Sequence, residues 1–100
     1  MPWFKVDDTL TFHAKVVAAG NAAMGVWVRA GAWCSQHLTE GHVPAHIAAT
    51  IGTRGEINRL VAVGLWTVAD DGYEFWQWSK DGRQPTKEQV EANRAAARER

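Results

Sequence analysis

One hundred residues, 46% of them hydrophobic and six of them Trp, supply one compact core and too little chain for a second. Eleven Lys and Arg offset eleven Asp and Glu, so the chain lacks the overall basic bias common in nucleic-acid binders, and any DNA contact must come from where charge is placed. The single cysteine, Cys34, excludes an internal disulfide and fits a reducing compartment. No stretch approaches the roughly 18 uncharged apolar residues of a membrane span, and no basic leader precedes an apolar run, so a soluble cytoplasmic protein is expected.

In chain order, Trp3-Phe4-Lys5-Val6-Asp7-Asp8 puts Phe4 and Val6 on one parity and predicts a short strand paired with something later. Thr11 to Ala19 reads as a short helix stopped by Gly20-Asn21. Residues 22–38 carry Met24, Val26, Trp27, Val28, Trp33, Cys34 and Leu38 with one charge, Arg29, and predict a central helix that is apolar nearly all round. Thr39-Glu40-Gly41 breaks it. Pro44 suits the first turn of a second helix, in which Ile47, Ala48 and Ile51 form a buried stripe, ending at Gly52.

Thr53-Arg54-Gly55-Glu56 has the capping-box spacing and opens a third helix, about 54–63, that turns Ile57, Leu60 and Val61 inward and Arg54, Asn58, Arg59 and Ala62 outward. Gly64 suits its C-terminal stop. From Leu65 to Trp78, an Asp71-Gly72 turn between aromatic and β-branched segments predicts a two-stranded hairpin, in which Trp76 and Trp78 share a face with Glu74, opposite Tyr73, Phe75 and Gln77. A second capping box, Thr86-Lys87-Glu88-Gln89, starts a charged helix that runs toward Arg100 and offers only Val90 and alanines for packing.

Two short helices across a turn at Gly52, followed directly by a hairpin, give the fold class: mainly α with a small antiparallel sheet, in the winged form of a helix-turn-helix. The expected division is a winged-helix domain at 1–82 and a charged C-terminal helix or linker at 83–100. As a set, Trp3-Phe4-Lys5-Val6-Asp7-Asp8, Trp33-Cys34, Leu38 to Pro44, Leu60 to Trp66, Asp71-Gly72-Tyr73 and Gln84 to Val90 resemble proteins of actinobacterial phages and prophages. That family is described as helix-turn-helix or replication-initiation proteins, with a winged-helix N-terminal domain like that of replisome organisers related to primosomal DnaD. The resemblance implies a cytoplasmic role in a bacterial host cell, duplex DNA as partner, and a basic linker and second domain beyond the present residues.

On this reading Arg54, Asn58 and Arg59 are candidates for base contacts from the third helix, since Arg forks onto guanine and Asn onto adenine. Lys80, Arg83 and Lys87 follow the wing at 65–78 and are candidates for phosphate contacts, with Arg94, Arg98 and Arg100 extending the same footprint. An ordinary solvated helix face explains both groups equally well without DNA. Cys34, His37, His42 and His46 have ligand-like spacing, yet Cys34 on an apolar helix reads as a small core hydrophobe, so no metal is expected. No nucleophile and base, phosphate-cradling loop or paired catalytic carboxylates stand out, so neither enzyme activity nor a cofactor is expected. The rival to DNA binding is a protein-interaction module that forms a homodimer or engages a host replication protein, and a third reading is a phage transcriptional regulator.

Overall fold

The structure, a computed structural model, describes residues 3–79 and 84–98. It is mainly helical with a three-stranded antiparallel sheet, in the order 3₁₀ turn Leu10–Phe12, α1 Ala14–His37, β1 His42–Pro44, α2 Ala45–Ile51, α3 Arg54–Ala62, β2 Trp66–Ala69, β3 Gly72–Phe75 and α4 Lys87–Arg98. The expected α+β class is therefore correct. Among the described residues no helix is long and apolar enough to cross a membrane.

Helix α1 opens unusually, with the His13 imidazole accepting the Lys15 backbone N–H through Nδ1. At Gly20 the backbone leaves helical geometry (φ 82°, ψ 166°), so the two helices expected on either side of Gly20-Asn21 are two arms of one bent element. On both sides of the bend the residues that bury are small and regularly spaced: Ala19 before it and Ala23, Val26, Ala30 and Cys34 after it form one inward stripe. Trp27 and Trp33 are only half-buried and Val28 is exposed, so this helix is less completely enclosed than its composition implied.

The expected strand at Trp3–Asp8 does not form. This stretch enters no sheet, Val6 is half-exposed, and the backbone of Lys5 is held by a side chain: Lys5 N–H donates to Gln84 Oε1 (2.9 Å) and Gln84 Nε2 donates to Lys5 O (2.6 Å). Phe4 is the anchor of this arm. Its ring lies where a Cβ on residue 31 would be, so only Gly31 admits it. From there it packs edge-on to Trp27 (5.0 Å) and is stacked with Trp78 (5.7 Å, 18°).

The strand that does pair is His42–Pro44, which the sequence had assigned to a helix start. It adds to β3, giving the sheet order β1-β3-β2 with Val43 opposite Tyr73 and Trp66 opposite Phe75. The hairpin loop is Asp70-Asp71, one residue earlier than expected, and Gly72 is the first residue of β3 with no positive φ. Gly72 is needed for another reason: a Cβ there would collide with the backbone of β1 at Val43 O and Pro44 Cα and with Ala45 N at the start of α2. Ala45 N–H closes the contact on Asp71 O at 2.9 Å.

Helix α3 forms as expected. Thr53 Oγ1 accepts Glu56 N–H (3.2 Å) while Glu56 Oε1 accepts Thr53 N–H (2.9 Å), which completes the capping box. At its end Gly64 has φ 85°, its N–H donates to Val61 O, and Leu65 N–H donates to Leu60 O. These are the paired bonds of a Schellman stop, with Leu60 and Leu65 both buried as its apolar clasp.

Alternation fails after Phe75. Trp76 and Gln77 form a turn, Gln77 with φ 54°, which swings Trp78 into the core beside Phe75 and leaves Trp76 half-buried. The expected shared face of Trp76, Trp78 and Glu74 therefore does not exist. Helix α4 is anchored at its start, where Glu40 Oε1 accepts Lys87 N–H (2.7 Å) and Val90 buries, while most of its remaining length is exposed.

Gly31→Ala should lower stability by about 1–3 kcal/mol, the usual cost of overpacking, because Phe4 has to leave its slot. Gly25 lies on the same helix with open space around its Cα, so Gly25→Ala should raise stability by about 0.5–1 kcal/mol. Urea denaturation of both variants checks the pair, and equal effects would show that Phe4 does not depend on the slot.

Candidate nucleic-acid interface

The outward face of α3 is as expected: Arg54, Asn58, Arg59 and Ala62 are all exposed. Arg54 occupies the first helical position directly after the capping box, and Asn58 lies one turn further on the same side. Arg59 is engaged elsewhere. Its guanidinium donates to Ala18 O at 3.3 Å, the carbonyl end of the first arm of α1 just before the Gly20 bend.

Arg59 is one of three cations that close helix ends across the fold. Lys15 Nζ reaches Val63 O at the end of α3 (3.5 Å) and stands 4.7 Å over the Trp76 ring. Arg29 donates to Ile51 O at the end of α2 (3.4 Å). Carbonyls at a helix C-terminus carry unpaired lone pairs and the negative end of the dipole, so a cation from a neighbouring element both satisfies them and joins the two elements. Periodicity gave Arg59 the right face and could not reveal this partner 41 residues away.

The hairpin is acidic where it meets solvent. Asp70, Asp71 and Glu74 are exposed, alongside Thr67 and Val68. His42 on β1 fills the space between two of them, with Nε2 3.0 Å from Asp71 Oδ1 and Nδ1 3.3 Å from Glu74 Oε2. A doubly protonated ring can donate to both carboxylates at once and a neutral ring to only one. The hairpin was legible from its turn signal, which carried no indication that its exposed carboxylates would gather around His42.

Lys80 and Arg83 lie outside the described residues. Lys87 is exposed at the start of α4, with Arg94 and Arg98 exposed further along. The Cys34, His37, His42 and His46 set disperses: Cys34 is buried with Sγ donating to His42 O (3.4 Å), His37 stacks on Trp33 at 4.4 Å, and His46 is exposed on α2. Among the described residues no three His, Cys, Asp or Glu side chains are grouped to hold a metal ion.

Comparison with protein-family models, with curated proteins and with solved structures gave no match.

Burial pushes the Cys34 thiol up from its ordinary 9.0 to about 11, opposed by the neighbouring Thr39 hydroxyl and reinforced by the negative charge of Glu74. The folded protein therefore holds this proton more tightly than the unfolded chain. The resulting stabilisation is complete below about pH 9 and should be lost as pH rises toward 11. Ellman's reagent at pH 8 should react with Cys34 only as fast as the protein unfolds, whereas a rapid native-state reaction would show an accessible thiolate.

Proposed function

We propose that the chain is a winged helix that docks duplex DNA with α3, using Arg54 and Asn58 as the side chains that meet base edges. The observation that carries this reading is the order helix, strand, helix, helix, strand, strand with β1 paired to β3, which leaves the outer face of α3 uncovered beside the short turn from α2. The N-terminal residues of such a helix approach base edges most closely, and Arg54 is the first of them. Arg59 then serves to hold α3 against α1, and the acidic hairpin at Asp70, Asp71 and Glu74 contributes shape rather than phosphate affinity. Lys87, Arg94 and Arg98 of α4 supply cationic contacts, as do Lys80 and Arg83 if they reach the same backbone.

The family resemblance extends this to a phage or prophage replication-initiation protein of the replisome-organiser type, acting in the bacterial cytoplasm without catalysis and without a cofactor. A transcriptional regulator would use the same docking face at a promoter instead of an origin. A second reading, a protein-docking module for a host replication protein or a second copy, is favoured by the acidic hairpin and by the exposed Trp3, Phe12 and Val17.

Fluorescence anisotropy of labelled duplex DNA at 50 and 200 mM salt separates these readings. DNA binding predicts affinity that falls steeply with salt, and a further loss of about 10- to 100-fold on its preferred site in Arg54→Ala/Asn58→Ala, at unchanged thermal stability. Arg59→Ala should instead lower stability by about 1 kcal/mol or less, since its guanidinium is exposed. Absence of salt-dependent binding at 50 mM would leave the protein-docking reading.

A further inference from the structure

Two cavities differ greatly in scale. One, beside Cys34 and Val90, is about 10 Å³, the size of a packing void. The other, between the N-terminal arm and the aromatic end of the hairpin, is about 350 Å³ and within the span of small-molecule sites. Protein interiors close-pack, so an opening of this size among aromatic side chains has to be held apart. Here the brace is visible. Phe4 is seated at Gly31, and the two hydrogen bonds between Lys5 and Gln84 fix the arm above the rings. Trp27 and Phe75 lock edge-on or tilted against Phe4 and one another, and Trp78 stacks on Phe4 while standing edge-on to Phe75, so they cannot turn in to fill the gap.

The walls are flat and apolar, with Trp27, Phe75, Trp76, Trp78, Leu65 and Val16 prominent among them. Two of the polar lining residues, His13 and Lys5, bring donors. His13 uses Nδ1 to accept Lys15 N–H, which in the neutral ring places the proton on Nε2. Lys5 commits its backbone to Gln84 and is exposed, so its charged side chain is open to solvent or a ligand. The carboxylate of the lining, Asp7, already takes the Thr9 N–H (2.8 Å) and O–H (2.7 Å) on Oδ1.

We propose that this cleft binds a flat bicyclic aromatic carboxylate, its rings between the tryptophans and its carboxylate toward Lys5 and His13. The proposal does not depend on the DNA reading, since it uses none of the α3 residues. The rings of such a ligand match aromatic walls that favour stacked and edge-on partners, and its carboxylate is an acceptor for the Lys5 and His13 donors.

2-Naphthoate is the probe, and the intrinsic emission of Trp27, Trp76 and Trp78 is the reporter, because all three line the cleft. Saturable quenching with a Kd below about 1 mM is expected for the wild-type chain. Lys5→Met should weaken it at least about fivefold, the loss of one charge-assisted contact at a partly solvated site. Val16→Trp, which fills the cleft from α1, should abolish it while keeping the wild-type melting temperature. If Val16→Trp does not fold, Leu10→Trp fills the same space from the 3₁₀ turn. Three results would overturn the proposal: no saturable quenching up to 5 mM probe, unchanged binding in a folded cleft-filling variant, or equal binding of the 2-naphthylmethylammonium cation.

Discussion

Phe4 reaches the interior because residue 31 has no side chain, and much of the fold is arranged around that entry. The ring touches α1 through Trp27, β3 through Phe75 and the turn beyond it through Trp78, so one residue near the start of the chain joins three elements distant in sequence. Aromatic pairs of this kind contribute about 0.5–1.5 kcal/mol each beyond the area they bury, which is a substantial share of the stability of a domain this small. The Lys5 to Gln84 hydrogen bonds then hold the arm in place with a buried amide that satisfies both backbone groups of one residue. The same brace keeps the neighbouring cleft from collapsing.

Charge is used sparingly. Of the five basic residues before residue 80, Lys15, Arg29 and Arg59 each spend their head group on a helix-end carbonyl of another element. These contacts are exposed or partly so, and each is modest in energy; their effect is mainly to fix how α1, α2 and α3 meet. They also sort the outer face of α3 by role. Arg54 and Asn58 remain directed to solvent while Arg59, exposed on the same face, is engaged by Ala18 O just before the bend at Gly20. The DNA-docking reading consequently rests on fewer side chains than the sequence suggested.

What could be read from the sequence was local. Capping boxes at Thr53 and Thr86, the Gly64 stop, and the inward set Ile57 and Leu60 are all decided within about one helical turn, and all are found where the pattern put them. What could not be read depended on partners far along the chain. His42–Pro44 is too short to show alternation and becomes a strand only because β3 lies alongside it. Trp3–Asp8 has the alternation of a strand, yet a glutamine side chain takes the place of a neighbouring strand. The Asp-Gly signal was real, but Gly72 answers to the approach of β1 rather than to a positive φ. At the candidate site the outward face of α3 was legible from periodicity, whereas the Ala18 partner of Arg59 was not.

The hydrogen bonds between Lys5 and Gln84 span 79 residues. A chain leaving the ribosome N-terminus first can form α1 and the α2–α3 pair early, from local contacts, but it cannot fasten the Phe4-Lys5 arm until residue 84 has emerged. Until then Phe4, Trp27, Phe75 and Trp78 lack the clamp that holds the arm down. The emergence of Gln84 is therefore the step at which its aromatic interior is sealed, and a chain that stalls before Gln84 would expose an unfastened aromatic arm to chaperones.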